Sequence, residues 1–407
     1  MAQACAAVPE GLCEVRSKLG LRSSQLDRFW VRGPSVRDGG GYERYGDARS
    51  SSDAGAFLGH DERNESAALS APVIQPSSMQ DAFLAADVGG THARIGLIAF
   101  KPGQGIPVTL AYRIYQCADF TSFDAIVRAF CDEFSVKPRR LALACAGFLH
   151  EGEVVNNNLR WPIIPANLEN TLALSEVKVL NDFEALAYGT AYLDHASMIT
   201  LHDPRRSKSA EEGPVVVVGP GTGLGVAVRL PGTPPQVLAT EAGHIQLAAR
   251  VGREQAVLTE LVPADTHIPY DSVLSGPGLL RVYEAVCRLD GADAELREPS
   301  AITAAACAGT NAQAVETLQL FCGWLGSFAG DLAMLYGASG GIYVAGGFLS
   351  RMTDFMAKSS FVSRFLDKGV MRPFQQTVPV HVVDHAQLGA IGAASWLMNH
   401  AHNDLQA

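Results

Sequence analysis

Apolar positions along the chain switch between a period of two and a period near 3.6. The first regular pattern is Ala82-Phe-Leu-Ala-Ala-Asp87, then Val88-Gly-Gly-Thr-His-Ala93, then Arg94-Ile-Gly-Leu-Ile-Ala-Phe100. Two apolar runs meeting at a glycine pair predict strand, tight turn and strand, and a third strand is expected at Val108–Gln116. The unit recurs at Val215-Val-Val-Val-Gly-Pro-Gly221-Thr222-Gly-Leu-Gly225, followed by Val226–Leu230. The Gly-Thr pairs at 90–91 and 221–222 are offset by 131 residues, which suggests two halves built on one plan.

After each hairpin the chain alternates. The first half predicts a helix near Ser122–Phe134, a strand at Leu141–Cys145, a helix around Ala166–Leu174, a strand at Val177–Leu180 and a helix from Phe183. The second half predicts a long helix over 313–336, a strand at Ile342–Ala345, a helix opening at Phe348 and a strand at Val378–Val383. This order gives mixed sheets with helices on both faces and places a ligand site in the cleft between two lobes. The longest apolar stretch, Leu318–Leu335, is interrupted by Gly323, Ser327 and Asp331. Its apolar residues recur at helical spacing, so it reads as a core helix and not a membrane span.

Residues 1–78 break the pattern, with Arg-Ser-Ser, Arg-Asp-Gly-Gly-Gly and Ser-Ser-Ser-Asp clusters and no sustained period. This segment reads as a largely disordered extension or as a leader upstream of a start at Met79. Its nine basic and ten acidic residues argue against a transit peptide, and its glycines argue against a helix-turn-helix. Almost all of the formal net charge of −10 therefore belongs to the remainder. An acidic chain lacks the footprint of a nucleic-acid binder and is repelled by an anionic membrane. Any phosphate site must work through local backbone dipoles and a metal. The eight cysteines include no C-x-x-C pair, so neither structural zinc nor a disulfide framework is expected, and the compartment reads as cytoplasmic. Cys145, Cys287 and Cys307, set among Ala, Leu and Val, read as buried thiols.

Five motifs carry candidate chemistry. In Asp87-Val-Gly-Gly-Thr91, Gly89 and Gly90 permit positive φ and close backbone approach to a phosphate, and Thr91 adds a hydroxyl. Asp87 is placed to hold Mg²⁺ directly or through water, although a hairpin turn with a capping Asp explains the same residues. Gly219-Pro-Gly221-Thr222-Gly223-Leu-Gly225 has four glycines in seven residues, more than a turn requires. Two such loops facing one another would grip a triphosphate, and neither matches the P-loop pattern. Gly346-Gly347, after the strand Ile342–Ala345, offers bare backbone to a nucleoside or forms a simple loop. Asn181-Asp182 ends a strand and opens a helix, so Asp182 reads equally as a general base or as a helix N-cap. Glu241-Ala-Gly-His244 sets a carboxylate beside an imidazole, a pairing suited to vicinal sugar hydroxyls and too sparse for zinc. Asn158 is a further candidate sugar contact, while Trp161 reads as core.

Taken in order, these motifs resemble the bacterial glucokinase family of the sugar kinase–actin–Hsp70 superfamily, from about Phe83 to Leu397. The likeness rests on Asp87-Val-Gly-Gly-Thr-His-Ala-Arg, Leu180-Asn-Asp-Phe-Glu-Ala, Gly219-Pro-Gly-Thr-Gly-Leu-Gly and Glu241-Ala-Gly-His. Val273-Leu-Ser-Gly-Pro-Gly-Leu, Val344-Ala-Gly-Gly and Asp367-Lys-Gly extend it. The resemblance implies an α/β, two-lobed actin-like (ribonuclease H-like) sugar kinase fold, with ATP and sugar bound between the lobes. It implies a small domain over 79–193 plus 385–407 and a large domain over 194–384. It implies glucose contacts at Asn158, Asn181, Asp182, Glu241, His244 and Asp271, with Asp182 as base. ATP contacts are implied at Asp87, Gly89, Gly90, Thr91, Gly221, Thr222, Gly223, Gly346 and Gly347, with Mg²⁺ at Asp87. Homodimers are common in the family. The chain departs from the pattern at Asp271, where the family has Glu, at His92 for Asn, at Ala242 for Gly and at Val370 for Arg. A kinase of mannose, fructose or an N-acetylhexosamine, and a non-catalytic sugar sensor, remain as alternatives.

Overall fold

Why the hairpins form, and why their sheets are buried, follows from residue alternation. The computed structural model describes residues 82–401, apart from 102–103, 156–158, 160, 194–197, 205–212, 263–265 and 384–386. The segment read as an extension, residues 1–78, lies outside the described residues, as does Asn158.

The first sheet runs β3-β2-β1-β4-β7, from β1 (Phe83–Val88), β2 (His92–Phe100), β3 (Pro107–Gln116), β4 (Arg140–Cys145) and β7 (Glu176–Asn181). β5 (Phe148–His150) and β6 (Glu153–Val155) form a small separate hairpin. Strand β1 is buried on both faces, and its side chains divide by the period of two. Leu84, Ala86 and Val88 enter one core with α1 (Phe123–Phe134) and α2 (Pro165–Leu172), where Trp161 is buried against Phe123 as expected. Phe83 and Ala85 face the other way, onto α3 (Asp182–Gly189) and the late helix α11 (Leu388–Ala401). That second core is rich in alanine, which lets two helices approach backbone to backbone. A Cβ added at Gly392 would lie 1.7 Å from the Ala185 carbonyl oxygen, and one at Gly189 would lie 2.5 Å from that of Leu388. Only glycine fits either position.

The second sheet repeats the plan. Its order is β11-β10-β9-β12-β13-β8, with β8 (Met198–His202), β9 (Val215–Pro220), β10 (Leu224–Leu230), β11 (Gln236–Thr240), β12 (Gly341–Ala345) and β13 (Val380–Val383). In both sheets an antiparallel three-strand meander is extended by parallel strands, β4 and β7 in the first and β12 and β13 in the second. The duplication expected from the two Gly-Thr pairs is thus present in the topology. One face of the second sheet packs on α4 (Arg253–Leu261), α5 (Gly276–Asp290), α6 (Pro299–Ala308) and α7 (Ala312–Tyr336). The short helices α8 (Thr353–Lys358), α9 (Phe361–Leu366) and α10 (Arg372–Gln375) follow α7 and β12 in the chain. Helix α7 carries the apolar run noted above: Leu318, Phe321, Leu325, Phe328 and Leu332 are buried in this core, whereas Leu335 is 67% exposed. It is a core helix.

The other face of the second sheet meets α3. Leu186 and Ala187 pack with Val217, Ala227 and Ala345, while Ala185 and Tyr188 on the same helix pack into the first sheet. Helix α3 is therefore shared by both sheets, and its N-terminus opens into the space between them. One burial expectation fails. Cys145 and Cys287 are buried, but Cys307, in the last turn of α6 where the helix runs out into Gly309, is exposed. The helix expected at Phe348 begins instead as a 3₁₀ turn, Leu349–Met352, before α8.

Candidate active site

Geometry assigns the helix cap at the start of α3. Asn181 is the N-cap: its Oδ1 accepts the N–H groups of Phe183 at 2.9 Å and Glu184 at 3.3 Å, and its Nδ2 donates to the Gly147 carbonyl at 3.4 Å. Asn181 thus has a helix-capping role at a position read as a sugar contact. Asp182 is the first helical residue, and its Oδ1 accepts from the Phe183 N–H at 3.0 Å. Its carboxylate lines two neighbouring cavities at once. One, of about 430 Å³, includes Gly90, Thr222, Glu241, His244 and Asp271. The other, of about 160 Å³, includes Asp87, Arg94, Pro220, Gly346 and Gly347. Removal from water, reinforced by repulsion from Asp87, pushes the Asp182 carboxyl up to about 6. That value suits a group that must be ionised at neutral pH yet still hold a proton well. The Cys145 thiol beneath it is pushed up to about 12 by burial and by the two carboxylates, which leaves it no thiolate character near pH 7.

Phe183, the residue after Asp182, is seated on the second hairpin. Its ring lies on bare backbone of the second hairpin: an added Cβ would come within 2.0 Å of the ring at Gly225 and 2.8 Å at Gly219. Those two glycines are seats for an aromatic side chain. A Cβ at Gly223 would lie 2.8 Å from Asp271 Oδ1, whereas at Gly221 the nearest atom is 4.0 Å away. None of Gly89, Gly90, Gly221, Gly223 and Gly225 adopts a left-handed φ. Close approach, and not positive φ, is what these glycines supply.

Backbone accounting shows what the two hairpin tips have in common. Gly89 N–H is held by the His92 carbonyl at 3.0 Å and Gly221 N–H by the Gly223 carbonyl at 2.7 Å. Among the described residues, the next N–H groups, of Gly90 and Thr91 in one hairpin and Thr222 and Gly223 in the other, have no protein acceptor. Each tip so presents two adjacent donors, a small anion-binding nest. Gly90, Thr222 and Gly223 line the larger cavity; the Thr91 side chain is exposed and borders neither cavity.

Asp87 is nearly buried at the end of β1. It pairs with Arg94 across the β1–β2 ladder, with Nη1 3.5 Å from Oδ2, and it presses on the first turn of α11, where a Cβ at Gly389 would lie 2.9 Å from its Cγ. Asp87 and Asp182 supply hard oxygen donors to one small cavity, a set that fits Mg²⁺ carrying waters and phosphate oxygens. Among the described residues no cluster of three or more His, Cys, Asp or Glu is present to hold a metal by protein ligands alone. Glu241 and His244 stand 3.9 Å apart at the mouth of the larger cavity, both well exposed. Asp271 Oδ1 accepts the Leu224 N–H at 2.6 Å.

Sequence reasoning missed three contributors. Arg94 lies within the first motif, yet its place beside Asp87, with a buried Nε that has no hydrogen-bond partner, required the ladder register. Phe183 sits next to Asp182, but its partners are some 40 residues away in sequence. Gly389 had a signal, the small-residue run Gly389-Ala-Ile-Gly-Ala-Ala394, which predicts a helix packed closely on its neighbours.

Two sheets on one plan, a helix shared between them and a carboxylate at the opening of that helix define a two-lobed α/β sugar kinase of the actin-like fold. The chain belongs to the glucokinase family: the family model Glucokinase matches residues 84–400. It is 43% identical over 320 residues to a glucokinase-like protein of Xylella fastidiosa (strain 9a5c), covering 78% of this chain and 95% of that one. Among solved structures, a glucokinase from an Antarctic psychrotroph superposes with a TM-score of 0.69 at 36% identity, over 78% of this chain and 99% of that one. A ROK family glucokinase from Streptomyces griseus in complex with glucose and AMPPNP shares the fold at 21% identity, with a TM-score of 0.54 over 77% of this chain and 98% of that one.

Proposed function

We propose that the protein is an ATP-dependent glucokinase that transfers the γ-phosphoryl group of MgATP to the 6-hydroxyl of D-glucose, supplying glucose 6-phosphate to glycolysis. The observation that carries this reading is the position of Asp182 on the shared wall of the two cavities, with its carboxyl raised to about 6. The sugar occupies the larger cavity, against Glu241 and His244, and Asp182 takes the hydroxyl proton as the oxygen attacks. The phosphates lie between the free N–H pairs of the two hairpin tips, and the nucleoside lies towards Gly346-Gly347. Asp87 would hold Mg²⁺ directly or through water, and the bound ion would neutralise phosphate charge. Positioning and charge neutralisation then supply most of the catalysis. Arg94 beside Asp87 adds a fixed positive charge to the same wall.

In this reading, residues 79–193 with 385–407 form the small lobe and 194–384 the large one, and their closure excludes water. The protein works as a cytoplasmic homodimer. The Streptomyces griseus protein, solved in complex with glucose and AMPPNP, supports the binding of both a sugar and a nucleotide. The test is a coupled ADP-release assay on glucose, mannose, fructose and N-acetylglucosamine. Glucose should give the highest kcat/KM; a preference for another hexose moves the substrate assignment, and no sugar-dependent turnover would leave a sensor.

A further inference from the structure

We infer that Asp271, a position where the family pattern places a sugar-binding Glu, is in this chain a positioning residue for the second phosphate-binding hairpin. The inference deepens the kinase reading above and rests on it for the identity of the phosphates. Three observations carry it. First, Asp271 Oδ1 accepts the Leu224 N–H at 2.6 Å, a charge-assisted bond and the strong kind. Second, the carboxylate lies against Gly223 so closely that a Cβ there would sit 2.8 Å away. The carboxylate thus joins its own segment to the hairpin tip. Third, the same two segments are joined again five residues on, where the Gly276 N–H donates to the Gly221 carbonyl at 2.8 Å.

These bonds bracket the tip on both sides of its free donors. Gly221 is held at one end and Leu224 at the other, and Thr222 and Gly223 between them, whose N–H groups have no acceptor among the described residues, line the larger cavity. The anchor itself is stiff. Tyr270, beside Asp271, is buried with its ring centroid 4.3 Å from that of Phe328, and its N–H donates to the Ile245 carbonyl at 3.1 Å, next to His244. Asp271 therefore links the wall that carries Glu241 and His244 to the tip that grips phosphate. An acceptor oxygen is what the role requires, and Asn retains one.

The test is calorimetric titration of the full chain and its Asp271→Ala and Asp271→Asn variants, separately with MgATP and with glucose. Asp271→Ala should weaken MgATP binding at least ~10-fold, the order of one charged hydrogen bond, and change glucose binding less than about twofold. Asp271→Asn should restore MgATP binding to within about threefold of the parent. A loss confined to glucose, equal losses for both ligands, or no loss for either would overturn the inference. Should Asp271→Ala fail to fold by circular dichroism, Asp271→Ser, which keeps a small polar side chain too short for the bond, takes its place with the same expected outcomes. Because the titrations read binding alone, a parent that binds MgATP but phosphorylates no hexose would refute the glucokinase reading while still deciding the role of Asp271.

Discussion

The two hairpins share a topology and differ in how their glycines are used. In the first, Asp87–His92, the acid belongs to the hairpin's own strand, and the surroundings of Gly89 are open, with the nearest atom to an added Cβ 3.8 Å away. In the second, Gly219–Gly225, the hairpin brings no acid of its own, and side chains from elsewhere fill the space that three of its glycines leave: Phe183 at Gly219 and Gly225, and Asp271 at Gly223. One tip is open to its surroundings. The other is bare in the same way only because its flanks are packed. Two nearly identical motifs can thus carry glycine for opposite reasons, and motif resemblance alone does not separate them.

Asp182 stands where the hairpins meet, and its loss should have the largest effect. Asp182→Ala or Asp182→Asn is expected to lower kcat by at least ~10²-fold, the lower range for a lost general base, measured by steady-state ADP release. Near-normal turnover would detach the base from the meeting point. The comparison itself is tested by paired glycine substitutions read in urea unfolding. Gly225→Ala, which drives a methyl into the Phe183 ring, should cost about 1–3 kcal/mol. Gly89→Ala should cost less than about 0.5 kcal/mol, as for open positions. Equal costs would break the distinction drawn between the hairpins.

The pH dependence sharpens it further. In the proposed reaction Asp182 must be ionised to accept a proton and its carboxyl is raised to about 6, so kcat/KM should fall about tenfold per pH unit below 6 and level off above. The effect on stability has the opposite sense. The folded carboxyl binds its proton more tightly than the unfolded one, whose ordinary value is 3.8. Its contribution is full below about pH 4 and is lost as pH rises through 6. Asp182→Asn should therefore raise the Tm at pH 7.5 while abolishing the activity, and an unchanged or lower Tm would count against the desolvated site. The smallest effect is expected outside both hairpins. Among the described cysteines, Cys307 is the exposed one, so iodoacetamide should label it first and leave glucose phosphorylation unchanged.

Much of the fold was legible because the apolar period changes cleanly at each element. β1, β4 and β9 were found to within a residue or two because burial on both faces leaves continuous apolar runs, and α7 because its apolar residues recur at helical spacing. The candidate site was legible as motifs but not as roles. Asn181 and Asp182 are both good capping residues, and only the hydrogen bonds from Phe183 and Glu184 assign the cap to Asn181. At Asp271, nothing local reveals that the Leu224 N–H lies within reach of the carboxylate. Cys307 was misread because an alanine-rich stretch gives no apolar stripe from which to judge the inward face.

The seat of Phe183 on Gly225 has a genetic consequence. A ring fitted into a missing methyl group is a bump in a hole, and such a pair can be changed together when neither member can be changed alone. Phe183→Leu should therefore act as a suppressor of Gly225→Ala, returning stability and turnover towards the parent by withdrawing the ring atoms that the new methyl meets. Selection for restored growth on glucose, starting from the Gly225→Ala variant, would be expected to find position 183 before any residue that touches the sugar.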